Sequence, residues 1–466
     1  MSTPALRFAT IVFLTSVFGL LAIWNMPHAI ALRYAFAVLL LISVVISNPG
    51  WRLFFRKNWI LLIFFSYLVV HLILFSTDFD QALENFQEEW GKMILFSLLG
   101  AGAGVTIPHG ASRRLPLFLG LAFSVPLLIH LGLSVREGLT REAVPWNYWG
   151  IHESHGDLGY TAIQATIFLG VFFLYQARHS FEKALAVFLL SVCIASPVIA
   201  GSRGGTAFVL ILMACGYLVT LAAPSNKTAA PGKPYLGPIV ILSVVALVVL
   251  VIAQAVSTND SVGDPGKWGG LVARLKMGLK GDPLVVNCEG VGVIQKILED
   301  EGRLSAPDIA RVLHSVTSNE AARVMAARAA LSLCAAHPMG INQSRQAYQI
   351  ALSEICTPKI LLANAHNGWL DTALAIGIPG AILYFLVLLN FAWLGLGSLR
   401  KSEIVRPYAV ALFLMSTVWI IRALFDSTQR DQMLEMQVFT IALLYGLIVS
   451  QKTLADPDRL SSLPAG

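Results

Sequence analysis

The chain has 466 residues, of which 56% are hydrophobic and only 13% are charged. A water-soluble globule of this length would need far more polar surface, so the composition excludes one and makes lipid the solvent for most of the chain. The formal charge of +6 calls for no nucleic-acid partner, because cations gathered in the cytoplasmic loops of a membrane protein account for it.

A helix needs about 20 apolar residues to cross a hydrocarbon core roughly 30 Å thick. Runs of this kind recur in order at Phe8–Trp24, His28–Ser47, Trp59–Phe75, Lys92–Ile107, Leu115–Ser134, Leu158–Gln176, Ala184–Ala200 and Thr206–Ala222. They continue at Leu236–Val256, Ile376–Leu396, Val405–Phe425 and Met433–Val449. Backbone in lipid must satisfy its own hydrogen bonds, and alternating strand patterns are absent, so the runs predict helices. The expected fold class is an all-α polytopic membrane protein with about twelve transmembrane helices. The first run lacks a small-residue cleavage site before Met26 and is followed at once by another span, which predicts a retained helix.

Short loops rich in Lys and Arg stay cytoplasmic. With the N-terminus inside, Arg52, Arg56, Lys57, Arg113, Arg114, Arg178, Lys183, Lys227, Lys233, Arg400, Lys401 and Arg406 all fall inside, and the acidic loop Asp78–Trp90 falls outside. Both termini are therefore expected in the cytoplasm. The expected organisation is a bundle of about nine helices over 1–256, an outer helical domain over 257–365, about three more membrane helices over 366–450, and a cytoplasmic tail over 451–466.

In the outer segment hydropathy collapses and charges of both signs appear. Ser305-Ala-Pro-Asp308 predicts a short helix through about His314, and Thr317-Ser-Asn-Glu320 has capping-box spacing before an alanine-rich helix that must stop near Pro338. Gln343–Cys356 predicts another. Cys288, Cys334 and Cys356 lie in this segment, where an oxidising compartment permits one disulfide with three pairings open. Cys193 and Cys215 sit inside spans as small hydrophobes.

Arg203, in Gly201-Ser-Arg-Gly-Gly205, lies between two spans with almost no loop, on the face where the positive-inside rule disfavours a cation. Its planar fork suits phosphate oxygens, and flanking glycines let a ligand approach the backbone, although a snorkelling arginine at a helix end would look the same. His366 opens Ala365-His-Asn-Gly-Trp-Leu-Asp371, where Asn367 can cap the next helix. A helix N-terminus favours the neutral imidazole, which can accept a proton. His152, Glu153, His155 and Asp157 have the side chains for a divalent ion, but their short spacing without other ligands favours an interfacial loop touching head groups or substrate. Arg136, Arg141, His152 and His155 in the same loop, Asn367 beside His366, and Arg274 in the outer segment are candidate substrate contacts, and no metal site is expected. Arg422 and Asp426 read as an ion pair that holds helices together.

Gly201-Ser-Arg-Gly-Gly205, the long outer loop, and His366-Asn-Gly-Trp-Leu followed by Gly377-Ile-Pro-Gly380 resemble the O-antigen ligase and O-antigen polymerase superfamily of bacterial envelopes. A third segment agrees with the family pattern: Arg323, then His337-Pro-Met-Gly340, with Ala327 where the family often has tryptophan and Asn342 where it has glycine. The resemblance spans Ala200 to about Tyr384 by motif.

It implies a glycosyltransferase-C-like membrane enzyme without a cofactor, working at the periplasmic face of the inner membrane. Such an enzyme takes O-antigen from undecaprenyl diphosphate and delivers it to a lipid A-core acceptor. Arg203 and Arg323 would bind the diphosphate and His366 would serve the acceptor hydroxyl. Polymerases and protein O-oligosaccharyltransferases share the superfamily. The single dominant late loop favours a ligase. A lipid or anion transporter is the reading of another class, which ionisable groups at mid-membrane would favour. Lys92 lies at a span edge, His71 and His130 lie near predicted ends, and the spans are otherwise almost free of such groups.

Overall fold

The computed structural model describes residues 3–47, 54–55, 58–107, 114–222, 278–301, 309, 313, 320–360, 362–400, 402–429 and 431–454, and every regular element among them is a helix. The first group comprises α1 (Thr3–Ile23), α2 (Ile30–Ser47), α3 (Trp59–Leu74) and α4 (Phe79–Asn85), which runs through a π-helical turn (Phe86–Gly91) into α5 (Lys92–Thr106). Then come α6 (Leu115–Arg141), α7 (His155–Tyr175), α8 (Ser180–Ile199) and α9 (Arg203–Ala222). Four shorter helices follow, α10 (Pro283–Glu289), α11 (Gly292–Glu301), α12 (Glu320–Ala336) and α13 (Ala347–Ile355), before α14 (Gly368–Leu396), α15 (Arg406–Arg422) and α16 (Asp431–Leu454).

Six of these, α2, α6, α7, α8, α14 and α16, are long and apolar enough to cross a membrane, and Ala9–Ile23, Trp59–Leu74 and Arg203–Leu218 are shorter apolar helices. The expected span Leu236–Val256 lies outside the described residues, as do Ser305–Asp308, Arg274 and the cations Arg52, Arg56, Lys57, Arg113, Lys227, Lys233 and Lys401. Helix α6 runs to Arg141 instead of stopping at Ser134, ending on Glu142 in the left-handed conformation. Two ionisable side chains that hydropathy passes over are buried: Arg33 in α2 and Glu435 in α16. Arg33 donates from Nη1 to Trp24 O at 3.3 Å and to Gln432 Oε1 at 3.5 Å.

Helix α16 is the centre of the bundle, with 94% of its apolar window buried. Without a hydrophobic drive between helices in lipid, such enclosure requires close backbone packing. Small residues on α5 supply it: a Cβ at Gly100 would lie 2.2 Å from Phe439 O, and one at Gly104 would lie 2.2 Å from Leu443 O. The contact is reciprocal, since a Cβ at Gly446 would meet Ala101 O at 2.6 Å.

A second seam fixes the short helices to the bundle. Helix α14 is broken at Ile376 and Gly377, where φ is +79° at the glycine, and a break leaves carbonyls without helical partners. Residues 338–343 meet them. Ile341 N donates to Leu374 O at 2.7 Å, Gln343 N to Ala375 O at 3.0 Å, and Ile378 N to Pro338 O at 2.9 Å. Tyr67 donates to Ile376 O at 2.6 Å, and His71 bridges Met339 O (2.6 Å, from Nε2) and the Gln343 amide (3.2 Å, at Nδ1). These partners assign His71 as the neutral Nε2–H tautomer. Asn342, standing where a glycine was expected, takes the left-handed conformation (φ 46°) and uses its side chain: Oδ1 accepts from Thr77 N at 2.8 Å.

The short helices carry their own small core of Val286, Ile294, Leu298, Ile309, Ala321, Met325 and Ile360. The open cysteine pairing resolves as Cys288–Cys356, closing 68 residues that contain α12. Cys334 is free and buried, and burial pushes its thiol up to about 12. Two outcomes follow from these contacts. Gly104→Leu drives a side chain into the α16 backbone and should destabilise the protein by about 1–3 kcal/mol or more, read as a lower unfolding temperature in detergent. Maleimide should label Cys288 and Cys356 only after reduction and Cys334 only after denaturation, read by peptide mass spectrometry.

Candidate functional site

Arg203 is the first residue of α9 because the turn before it is fully tied. Gly201 adopts φ +71°, Ser202 N donates to Pro197 O at 2.8 Å, and Asn147 N donates to Ile199 O at 2.9 Å. The next two glycines serve packing. A Cβ at Gly205 would lie 2.6 Å from Gly159 Cα, so α7 and α9 touch backbone to backbone there, and a Cβ at Gly204 would lie 2.2 Å from Arg422 Nη1. Glycines that the sequence assigned to ligand approach instead admit a neighbouring helix and a guanidinium.

Arg422 ends α15, is 5% exposed, and donates from Nη2 to Asp426 Oδ2 at 3.1 Å. Its guanidinium carbon stands 5.1 Å from the Tyr160 ring centroid and 5.2 Å from that of Phe208, within cation–π reach of both. The Tyr160 hydroxyl donates to the same carboxylate oxygen at 2.7 Å. Burial pushes the Asp426 carboxyl up, but Arg422, then Arg323, the Tyr160 hydroxyl and His366 outweigh it and hold it below the usual carboxylate range.

His366 lies beside this group. Its φ is 50°, and its N–H donates to Asn364 Oδ1 at 3.0 Å. Asn367 caps α14, accepting at Oδ1 from Trp369 N and Leu370 N at 3.1 Å, while its Nδ2 donates to Leu424 O at 3.1 Å. Gly368 N donates to Ala423 O at 2.7 Å and to Asp426 O at 3.0 Å, and Ser427 Oγ shares its single proton between Asn364 Oδ1 and the Asp371 carboxylate. Residues 364–368 are thereby clamped to residues 423–427.

These elements surround a cavity of about 800 Å³. Arg203, Arg323, Arg422, Asp426, Asn147 and His155 line its polar part, and Phe208, Ile211, Phe413, Ile421 and Phe425 line an apolar part. Arg203 and Arg323, from opposite ends of a 120-residue stretch, thus face one space. His366 adjoins Asp426 and is absent from the lining.

Of the other sequence candidates that the structure describes, only His155 lines the cavity. Arg136 and Arg141 are exposed at the end of α6, where Arg141 Nε pairs with Glu137 at 2.6 Å, and neither lines the cavity. His152 is buried, its Nδ1 donates to Asn25 O at 3.2 Å, and burial lowers its pKa. Asp157 forms a capping box with Ser154, Glu153 is exposed, and only His155 of that cluster reaches the cavity, 6.0 Å from the Trp149 ring. Arg274 lies outside the described residues. Sequence reasoning missed Tyr160 and the cavity position of Arg422. A signal for Arg422 was present, since a cation at the expected outer end of a span invites the argument that singled out Arg203.

Among the described residues every regular element is a helix and six are long and apolar enough to cross a membrane, which marks a multi-pass membrane protein with a cavity lined by arginines and apolar side chains. Residues 184–385 match the model of the O-antigen ligase family, which supports an O-antigen ligase superfamily member, and members of that family are glycosyltransferase-like enzymes. The matched stretch contains Arg203, Arg323 and His366 and ends before Arg422 and Asp426. No curated protein matches the chain.

The Asp426 network carries a pH consequence. A carboxyl with a depressed folded pKa contributes stability above its unfolded value of about 3.9 and loses it as pH falls through the lower folded value. Wild-type unfolding temperature should therefore drop on acidification below about pH 4, and Asp426→Asn should show a lower plateau near neutrality with a shallower acid limb, measured by thermal unfolding across pH.

Proposed function

We propose that the chain transfers a finished O-antigen glycan from undecaprenyl diphosphate to a lipid A-core acceptor at the periplasmic face of the bacterial inner membrane. One observation carries the reading: Arg203 and Arg323 line one cavity whose polar part is continuous with an apolar part, which matches a diphosphate head attached to a polyprenyl tail. The bundle and the single late helical segment support a ligase over a polymerase or a protein transferase. Transport is less well supported, because Arg33 and Glu435 sit within about one turn of their helix starts instead of at mid-helix.

In the proposed reaction an acceptor hydroxyl oxygen attacks the anomeric carbon of the donor sugar. A new C–O bond forms as the bond to the phosphate oxygen breaks, and the electron pair leaves with the lipid diphosphate. The acceptor proton passes to His366, which begins the step as a neutral imidazole, a role worth about 100- to 10,000-fold in rate. Negative charge grows on the diphosphate as the bond breaks, so guanidiniums facing it lower the barrier electrostatically, and a metal ion is dispensable. Asn367, engaged in capping α14 and bonded to Leu424 O, anchors the chain next to His366.

His366→Ala should abolish ligation in cells while the protein remains inserted, leaving lipid-linked polymer unattached on a lipopolysaccharide gel. Smooth lipopolysaccharide at wild-type level in that strain removes His366 from the reaction. Arg203→Lys and Arg323→Ala should each reduce ligation by at least about tenfold, since the fork or the whole charge is lost. Single repeats on core, instead of unattached polymer, would assign polymerisation.

A further inference from the structure

The pair Arg422–Asp426 has the position of a helix staple, yet three observations fit that role poorly. The Arg422 Nε, buried, has no hydrogen-bond partner among the described residues, so part of the guanidinium is left unanswered by the carboxylate. Gly204 is stripped of a side chain at the point where Nη1 reaches the first turn of α9, which brings this guanidinium against the helix that begins with Arg203. Arg422 also sits against Phe208, where the polar part of the cavity gives way to the apolar part.

We propose that Arg422 is a third phosphate-binding guanidinium, taking the phosphate that bears the lipid chain, with Asp426 as a built-in competitor that keeps the head group from binding too tightly. This rests on the reading of the cavity as a lipid-diphosphate site and adds a division of labour to it. Phe208 lies five residues along α9 from Arg203, or about 7.5 Å at 1.5 Å per residue. A guanidinium held between Gly204 and Phe208 is thus displaced from Arg203 toward Phe208, Ile211 and Leu212, the apolar residues by which α9 lines the cavity. Arg323, arriving from α12, meets the outer, glycan-bearing phosphate. Among the described lining residues the charges are three guanidiniums and one carboxylate. Their surplus is positive, as a diphosphate diester requires, and Asp426 reduces it.

Full-length protein in lipid nanodiscs, titrated separately with undecaprenyl phosphate and undecaprenyl diphosphate, tests the assignment. The double variant Arg422→Gln/Asp426→Asn removes one charge of each sign, so the net charge is unchanged and no ion is left buried alone. It should bind both probes about 10- to 100-fold more weakly than wild type, through loss of a charge-assisted hydrogen bond. Arg323→Ala should weaken only the diphosphate, because the monophosphate lacks the outer phosphate. Asp426→Asn alone should bind both probes about 3- to 10-fold more tightly despite its lower unfolding temperature, the opposite of what loss of a mere staple produces. Wild-type affinity for both probes in the double variant, or weaker binding in Asp426→Asn, overturns the proposal while leaving the cavity's function standing. Failure of the wild type to bind either lipid overturns the functional reading together with it.

Discussion

A guanidinium taken out of water at the edge of a membrane bundle persists only where other groups answer its charge. Arg422 is answered on three sides, by the Asp426 carboxylate and by the faces of Tyr160 and Phe208. Much around the cavity follows from that need. Gly204 gives up its side chain to the guanidinium, Tyr160 turns its hydroxyl to the carboxylate, and the loop carrying Asp426 is locked by accepting from Gly368 N. The start of α14, with His366 just before it, is positioned by the same loop.

Arg323 reaches this locus by a different route. It stands on α12, whose Ala326, Ala329, Ala330 and Leu333 are buried in the main core, and two further constraints fix it. One is the covalent link between Cys288 and Cys356, which closes the stretch containing α12. The other is the seam between residues 338–343 and the break in α14, where exposed carbonyls of one segment are satisfied by N–H groups of the other. The break is therefore a socket, and Gly377 with Pro379 makes it obligatory, since one adopts a conformation that side chains avoid and the other lacks a donor.

The helical class was legible in the sequence because lipid imposes a length and a composition that chance seldom produces, although six of the described helices, not twelve, are long and apolar enough to cross a membrane. Boundaries were less so: α6 passes seven residues beyond its apolar run to Arg141, because a helix can continue outside lipid once its own backbone bonds are made. Arg203 and Arg323 could be singled out from charge in an improbable place and from motif resemblance. Their meeting in one cavity is tertiary, and no local pattern encodes it. The four-residue cluster from His152 to Asp157 misleads for the converse reason: neighbours in sequence at the start of a helix point in different directions, one to a core carbonyl, one to the cavity and one to its own cap. The glycines around Arg203 were noticed for the right property, closeness, and assigned to the wrong partner.

Among the described residues, the apolar side of the cavity includes Ile211, Ile421 and Phe425, which remain 52%, 40% and 62% exposed on α9, on α15 and just after α15. If the proposed polyprenyl carrier enters past these side chains, it would stay within the bilayer, and its encounter rate would then be set by lateral diffusion and carrier density within the leaflet instead of by bulk aqueous concentration.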